Sequence, residues 1–167
     1  MMSAELGYLV WSNSADVVLF NLIGVIICVY SLYIEIKKEK DPKYRAACDF
    51  NEHMSCSRVL TSKYSHGFGI AEGLLGKKHI LNSRNCNMGL VMYLANLVIF
   101  FTLWEPLSSS IMLFCAASSI FVCIYLAAIL AFVLKDLCVV CITTYIINGC
   151  LVYLNYQRYS HPYLLRH

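Results

Sequence analysis

Two cysteines three positions apart, Cys138 and Cys141, have the spacing that points most directly to chemistry in this chain. They stand at the start of an apolar stretch, and Asp136 just before them is a residue type that caps helices. Cys138 would lie in the first turn of that helix, where the positive end of the helix dipole favours the reactive thiolate. Cysteines three apart share one face of a helix and can reach each other near its end. The pattern predicts a thiol–disulfide redox pair.

Tyr145 follows Cys141 by four positions, so the tyrosine and both cysteines form one stripe along the helix. A phenol one turn deeper in a bilayer than a thiol pair suits an apolar substrate that carries a carbonyl group. The thiolate would supply electrons, and the phenol would donate a hydrogen bond to an oxygen. A packing role for Tyr145 is the simpler alternative, because polar-tipped aromatic side chains are common near membrane interfaces.

The cysteine motif by itself is compatible with other kinds of site. A zinc site needs four ligands, which this pair and two further cysteines would supply. Two inert core thiols are the simplest interpretation. Haem attachment needs a histidine directly after the second cysteine, where this chain has Ile142, so that class of site is excluded.

A second pair, Cys48 and Cys56, has seven residues between its members, enough for a hairpin or a bent helix to join them. Together the two pairs predict a relay, in which a partner dithiol reduces the Cys48–Cys56 pair and this pair reduces Cys138 and Cys141 by thiolate attack. A static structural disulfide is the alternative. The other five cysteines are Cys28, Cys115, Cys123 and Cys150, expected to act as small hydrophobes, and Cys86, a further redox candidate.

The elements that must position these residues are four apolar blocks. The chain has 167 residues, of which 59% are hydrophobic and 14% are charged. A helix that spans a bilayer needs roughly 20 apolar residues, and the backbone must be paired internally within lipid. We therefore predict an all-α membrane protein, a single domain over residues 1–167 that forms a four-transmembrane-helix bundle. The predicted helices cover about residues 17–34, 88–104, 107–134 and 137–156.

The first block is expected to be retained and not cleaved as a signal peptide. No Lys or Arg precedes it, and its apolar run is too long for a signal sequence. A nucleic-acid partner is not expected, because the basic residues sit in a membrane loop without an aromatic stacking pattern.

A polar loop of about residues 35–87 separates the first two blocks. A loop of this length without structure is uncommon, and long loops are more often functional. We therefore expect a cap over one end of the bundle, with short helices within 46–58 and 69–75. With four spans, this loop and the connection between spans three and four lie on the same side of the membrane. Both cysteine pairs therefore face one compartment.

The charge of the loop and the chemistry of its cysteines point to opposite sides of the membrane. The loop carries ten of the thirteen basic residues, which favours the cytosolic side. Working disulfides need an oxidising compartment. We expect a luminal loop, because a cap that folds as a unit is less subject to the charge rule.

Two runs of residues resemble the vitamin K epoxide reductases of animals. The loop run comprises Cys48-Asp49, Ser55-Cys56-Ser57-Arg58, Gly67-Phe68-Gly69, Ile80-Leu81-Asn82 and Asn85. The second run is Phe132–Tyr145, which contains both motif cysteines. The resemblance covers nearly the whole chain after about Cys28, and the combination of paired loop cysteines with the last-span motif is highly specific.

The resemblance implies a bundle around a quinone pocket beneath a cap, in the endoplasmic reticulum membrane with the cysteines luminal. It makes Cys138 and Cys141 the catalytic pair, with Cys141 contacting substrate, and the loop cysteines the electron relay. Asn85 and Tyr145 would hold the quinone or epoxide oxygens. The implied reactions are thiol-dependent reduction of vitamin K 2,3-epoxide to the quinone and of the quinone to the hydroquinone, with a dithiol reductant and no tightly bound cofactor.

The partners implied by the resemblance are a redox protein and small ligands. Bacterial relatives carry a fused thioredoxin-like domain, whereas this chain ends after its fourth span, so we expect a thioredoxin-fold luminal protein to act in trans. Coumarin-type inhibitors are expected ligands. The positions that are often aromatic in the pocket of vertebrate members are here Leu60, Met88 and Met92, with Tyr64 in place of a usual tryptophan. These substrate-binding positions predict a changed quinone preference and changed inhibitor binding.

Two other functions stay open at the level of sequence. The same residues would serve a quinone-driven generator of protein disulfides, which differs in substrate and not in machinery. A non-catalytic membrane scaffold or a metal-binding protein would use the cysteines structurally.

Overall fold

Four long helices form the molecule, which we describe from a computed structural model. The structure describes residues 2–51, 53–70, 73 and 82–160, with side chains from residue 13 onward. The long helices are α1 (Met2–Lys40), α3 (Asn85–Thr102), α4 (Leu107–Ala128, continued by a π-helical turn over Ile129–Leu134) and α5 (Val139–Ser160). A short helix, α2 (Cys56–Leu60), lies in the loop between α1 and α3. The predicted all-α, four-helix architecture is confirmed, and the described ranges contain no β-strand.

The helices form a ring in which α1 packs against α3 and α5, and α4 packs against α5. Gly24 allows α1 and α3 to approach closely, because a Cβ at this position would lie 2.6 Å from Tyr93 Cζ. Large apolar side chains cover the outside of the ring, among them Phe101 and Phe121, which are 71% and 76% exposed. All four helices are long and apolar enough to cross a membrane. The exposed aromatic side chains therefore face lipid, and the protein is a multi-pass membrane protein.

Several helix ends lie away from the positions expected from hydropathy. Helix α1 continues to Lys40, so Glu35 is a buried helical residue and not the first residue of the loop. Helix α3 begins at Asn85 and not near residue 88. Hydropathy could not locate these ends, because a helix can continue through polar residues once it has left the apolar layer.

The start of α5 also corrects the sequence prediction. The helix begins at Val139, so Cys138 is the residue before the first turn and Asp136 is not the N-cap. The Cys138 carbonyl accepts the first helical bond, from Ile142 N at 3.0 Å, and Cys138 Sγ accepts a bond from Cys141 N at 3.3 Å. These are the bonds of an N-cap residue. Cys138 itself therefore caps the helix that carries Cys141.

The loop between α1 and α3 closes one end of the bundle as a cap. Helix α2 starts at its N-cap Ser55, whose Oγ accepts a bond from Arg58 N at 3.3 Å. The helix predicted within residues 46–58 is thus confined to its last three positions and continues to Leu60. Short 3₁₀ turns follow over Lys63–Ser65 and Gly67–Gly69. Most of the second helix predicted, at 69–75, falls on residues outside the described ranges.

The opposite end of the bundle is closed by a buried ion pair. Arg158 of α5 pairs with Glu105, and its guanidinium lies 4.5 Å from the centre of the Phe100 ring. Glu105 also accepts a bond from Ser109 N at 3.1 Å in the first turn of α4. This end carries no cysteine within the ranges described, and its charges are used for packing.

Candidate redox site

The loop cysteines form a disulfide, Cys48–Cys56, with their Cα atoms 5.9 Å apart. The Asp49 carboxylate organises the loop that they close. Its oxygens accept bonds from Ala46 N at 2.8 Å, Ser57 N at 2.9 Å and Ser55 Oγ at 3.0 Å. Both sides of the disulfide are therefore fixed to one charged group, which explains why an aspartate directly follows Cys48.

The charge of Asp49 is stabilised by these bonds. Burial raises the pKa of Asp49, but the hydrogen bonds from Ser57, Ala46 and Ser55 outweigh burial and hold its pKa below the ordinary value. The carboxylate is thus ionised at neutral pH, and the loop depends on that charge.

A short stretch of paired backbone joins the cap to the start of α5. Ser55 N donates to Leu137 O at 3.1 Å, and Leu137 N donates to His53 O at 2.8 Å. An ion pair between Arg58 and Asp136 at 2.6 Å lies beside this pairing. Because Ser55 precedes Cys56 and Leu137 precedes Cys138, the pairing brings the two cysteine pairs together. Cys48, Cys56 and Cys138 belong to one buried cluster.

The two sulfurs of the motif have different surroundings. Cys138 is fully buried in the cluster that contains the disulfide, whereas Cys141, one turn later, lines an internal cavity. Cys141 Sγ donates to Cys138 Sγ at 2.8 Å, so the pair is a dithiol that shares a proton. The Cys141 bond and the bonds from Cys141 N and Val140 N lower the pKa of Cys138, although burial opposes them. The arrangement places a stabilised thiolate toward the disulfide and a thiol toward the cavity.

The cavity lies between the four helices beneath the cap and has a volume of about 440 Å³. Its wall is mostly apolar, which suits a ring system with few polar groups. The residues that the sequence assigns to substrate contact all line it, namely Cys141, Leu60, Tyr64, Asn85, Met88, Met92 and Tyr145. The structure therefore brings these residues to one place, although their roles toward a substrate stay predictions.

Tyr145 and Asn85 differ in their use of hydrogen bonds. The Tyr145 hydroxyl bonds to no other residue in the part of the chain that the structure describes. Asn85 Oδ1 accepts from Phe68 N at 2.9 Å, and its Nδ2 donates to Tyr64 O at 2.7 Å. Phe68 has a left-handed backbone with φ of 56°, and Tyr125 Oη donates to its carbonyl at 3.1 Å. Asn85 therefore anchors the cap, and its second amide N–H makes no hydrogen bond to a described residue.

The cavity wall also carries a carboxyl group that the sequence patterns did not single out. Glu35 and Cys86 both line the cavity, and Arg84 lies beside Glu35 with 3.1 Å between Nε and Oε2. A hydrogen bond to Glu39 raises the pKa of Arg84, and burial opposes it. The signal was present in the sequence, because an ionisable residue within a membrane helix is a functional candidate by default. It was missed because hydropathy assigned Glu35 to the loop.

The alternative of a zinc site finds no support in the part of the chain that the structure describes. Over residues 2–51, 53–70, 73 and 82–160, no three His, Cys, Asp or Glu side chains are grouped so as to hold a metal ion.

A four-helix membrane protein with a dithiol on the wall of an apolar cavity, and a disulfide packed beside that dithiol, belongs to the class of membrane thiol oxidoreductases. Residues 17–156 match the model of the Vitamin K epoxide reductase family. The chain is similar to vitamin K epoxide reductase complex subunit 1 of Mus musculus and of Rattus norvegicus. It is 38% identical to each over 137 residues, which is 82% of this chain and 84% of each relative. The chain therefore belongs to the vitamin K epoxide reductase family and is an oxidoreductase of that type.

Proposed function

We propose that this protein reduces vitamin K 2,3-epoxide to the quinone and the quinone to the hydroquinone, with electrons from the Cys138–Cys141 dithiol. The observation that carries the proposal is the division between the two sulfurs. Cys141 lines the apolar cavity, and Cys138 lies against the Cys48–Cys56 disulfide. The residue that would react with substrate and the residue that would receive electrons therefore both lie at the start of α5.

The dithiol chemistry follows from this division. Cys141 passes the shared proton to Cys138 and attacks the bound ring. A carbon–sulfur bond forms while a ring π bond of the quinone, or a carbon–oxygen bond of the epoxide, breaks and its electron pair moves to oxygen. Cys138 then attacks Cys141 Sγ, so the sulfur–sulfur bond forms, the carbon–sulfur bond breaks and its electron pair returns to the ring. Overall, dithiol and quinone give disulfide and hydroquinone, and dithiol and epoxide give disulfide, quinone and water. The 2.8 Å contact between the sulfurs places them for the second step.

The relay restores the dithiol. The Cys48–Cys56 pair is first reduced by a partner dithiol. One of its thiolates then attacks Cys138 Sγ and displaces Cys141, and the other attacks the first loop sulfur, so the Cys48–Cys56 disulfide forms again and Cys138 leaves as a thiolate. The backbone pairing between residues 53–55 and Leu137 supports direct exchange, because it holds the segments before Cys56 and Cys138 side by side. The low pKa of Cys138 also makes it a good leaving group in that exchange.

The substrate oxygens are held from two sides of the cavity. Tyr145 offers a hydroxyl that bonds to no described residue, and Asn85 offers its second N–H. Leu60, Tyr64, Met88 and Met92 pack against the ring and the side chain of the substrate. Coumarin-type inhibitors, which are apolar rings with oxygen acceptors, fit the same features.

The proposed setting is the endoplasmic reticulum membrane with the cap in the lumen. This placement supplies the oxidising compartment in which a disulfide such as Cys48–Cys56 persists. The proposed reductant is a thioredoxin-fold luminal protein acting in trans.

Epoxide turnover in microsomes that contain the full chain, supplied with dithiothreitol, tests the proposal. We expect quinone and then hydroquinone to form, and we expect neither with the Cys138→Ala, Cys141→Ala double variant. Absence of both products from the wild-type chain would refute the proposal. If the quinone alone were reduced, and only while a protein dithiol was oxidised, the disulfide-generating alternative would replace it.

A further inference from the structure

Glu35 is a buried carboxyl group on the wall of the cavity that the proposed mechanism does not use. Its side chain is 2% exposed, and it lines the cavity from α1, the helix that packs against α5. Carboxyl groups are rarely placed inside a membrane bundle without a function, because burial of the charge is costly. The wall it shares is otherwise mostly apolar, and among the described residues on that wall only Glu35 carries a carboxyl group.

Glu35 is held loosely by its ionic partner. Arg84 directs Nη2 to both oxygens of Glu39, at 2.8 and 2.7 Å, and only its Nε approaches Glu35 Oε2. That 3.1 Å approach is misaligned, since neither Nε nor Oε2 makes a hydrogen bond within the described ranges. One guanidinium therefore serves two carboxyl groups, and the buried one is not locked to it.

The carboxyl group lies at the level of the reactive sulfurs. Ile34, its neighbour on α1, belongs to the buried cluster that contains Cys56 and Cys138. Glu35 also lines the same cavity as Cys141, together with Cys86. A ring bound against Cys141 thus occupies the cavity that Glu35 also lines, beside two helices that pack against each other.

We infer that Glu35 is a catalytic proton donor, which protonates the substrate oxygen as Cys141 and Cys138 transfer electrons to the ring. The inference rests on the proposed function. The two electrons come from the two thiols, which become one disulfide, and the two thiol protons are released. The quinone gains two electrons and two protons, one of which Glu35 supplies; the epoxide oxygen likewise leaves as water. Glu35 recovers its proton from solvent, so the overall reaction is unchanged.

A route to solvent lies next to Glu35. Glu39 is one helical turn further along α1, half-exposed, and bound to the same Arg84. Residues four apart on a helix are neighbours on its surface. Glu39 and Arg84 therefore connect the buried carboxyl group to water at the membrane surface beside the cap.

The Glu35→Gln variant of the full chain tests the inference, because glutamine keeps the shape and cannot deliver the proton. We expect kcat for quinone and epoxide reduction with dithiothreitol to fall by about 10²-fold, a typical effect of losing a general acid. We expect KM to change little, and the solvent deuterium isotope effect on kcat to rise. Asp16→Asn is the matched control, the same change on the same helix about 28 Å away.

A second variant covers the case in which Glu35→Gln does not accumulate. Glu35→Asp keeps the acid but withdraws it by one methylene, so we expect an intermediate kcat with an unchanged KM. Wild-type kcat in either variant would overturn the inference, as would a loss seen only in KM. Failure of the wild-type chain to reduce either substrate would instead refute the proposed function.

Discussion

The two cysteine pairs lie side by side but are held by different means. Cys48 and Cys56 close a small loop whose backbone and hydroxyl groups converge on the Asp49 carboxylate. Cys138 and Cys141 stand at the start of a helix that is fixed by its packing in the bundle. The first pair is thus positioned by one charge, and the second by the whole fold.

The difference matches the roles that we propose for the two pairs. A pair that accepts electrons from a protein partner must open its loop to that partner, and a loop held by one carboxylate can do so at modest cost. A pair that attacks a bound ring needs a fixed approach, which a helix supplies. The variants below test this contrast, starting with the largest expected effect.

Cys141→Ser is expected to abolish turnover with every reductant, because Cys141 is the member of the Cys138–Cys141 pair that lines the cavity. Loss of a nucleophile commonly lowers kcat by more than about 10³-fold. Steady-state assays with dithiothreitol measure the loss of kcat. Cys150→Ser, on the same helix, is the control that is expected to keep activity. Residual turnover above roughly a tenth of wild type in Cys141→Ser would remove the nucleophile role.

Cys48→Ala is expected to separate the two pairs functionally. It should lose most turnover with a protein dithiol but keep most of it with dithiothreitol, since a small reductant reaches Cys138 and Cys141 directly. Parallel assays measure the turnover of Cys48→Ala, relative to wild type, with each of the two reductants. Equal losses under both conditions would mean that Cys48 and Cys56 form a structural disulfide and not a relay.

Asp49→Asn should loosen the loop pair and leave the helix pair intact. Loss of the charged acceptor is expected to destabilise the cap by about 1–2 kcal/mol, seen as faster reduction of the Cys48–Cys56 disulfide. Cys138 and Cys141 should keep their dithiothreitol-driven turnover. If the disulfide is reduced no faster than in wild type, the loop does not depend on this carboxylate.

Acid should destabilise the cap of the wild-type chain in the same way as Asp49→Asn does. The folded pKa of Asp49 is depressed, so its contribution is present above the unfolded pKa, about 3.9, and is lost as pH falls through the lower folded pKa. We therefore expect the protection of cap amides against hydrogen exchange, relative to their intrinsic rates, to fall below about pH 4 in wild type. Asp49→Asn should lack this component, and identical pH profiles would contradict the assignment.

Tyr145→Phe tests the part of the cavity wall that Tyr145 and Cys141 form together. Loss of one hydrogen bond to a substrate oxygen is worth about 0.5–1.5 kcal/mol, or roughly two- to tenfold in turnover, with weaker coumarin inhibition. Tyr153→Phe makes the same change on the lipid side of α5 and serves as the control. Unchanged turnover and inhibition would leave Tyr145 with a packing role.

Leu60→Phe should have the smallest effect. An added aromatic contact is expected to tighten coumarin inhibition by about 0.5 kcal/mol, because Leu60 lines the cavity at the cap. Leu19→Phe on the exposed face of α1 is the control. The native chain can be compared with a vertebrate enzyme. Equally strong coumarin inhibition of the two would contradict the prediction that a leucine at position 60 weakens inhibitor binding.

Much of this architecture follows from local properties of the sequence. Composition and the lengths of the apolar blocks were enough to predict four membrane helices, because lipid selects for hydropathy residue by residue. Hydropathy also placed Glu35 wrongly in the loop. A hydropathy profile records the charge of Glu35 but not the backbone hydrogen bonds that continue α1 to Lys40.

The sequence by itself determined the type of chemistry, through the spacing of Cys138 and Cys141 and the second pair before them. The tertiary structure decided which sulfur faces the cavity, because a shift of one residue in the start of α5 rotates both side chains by about a quarter-turn or more. It also decided that Asn85 anchors the cap and that Glu35 faces the cavity. These facts depend on contacts between residues far apart in the chain, which no local pattern records.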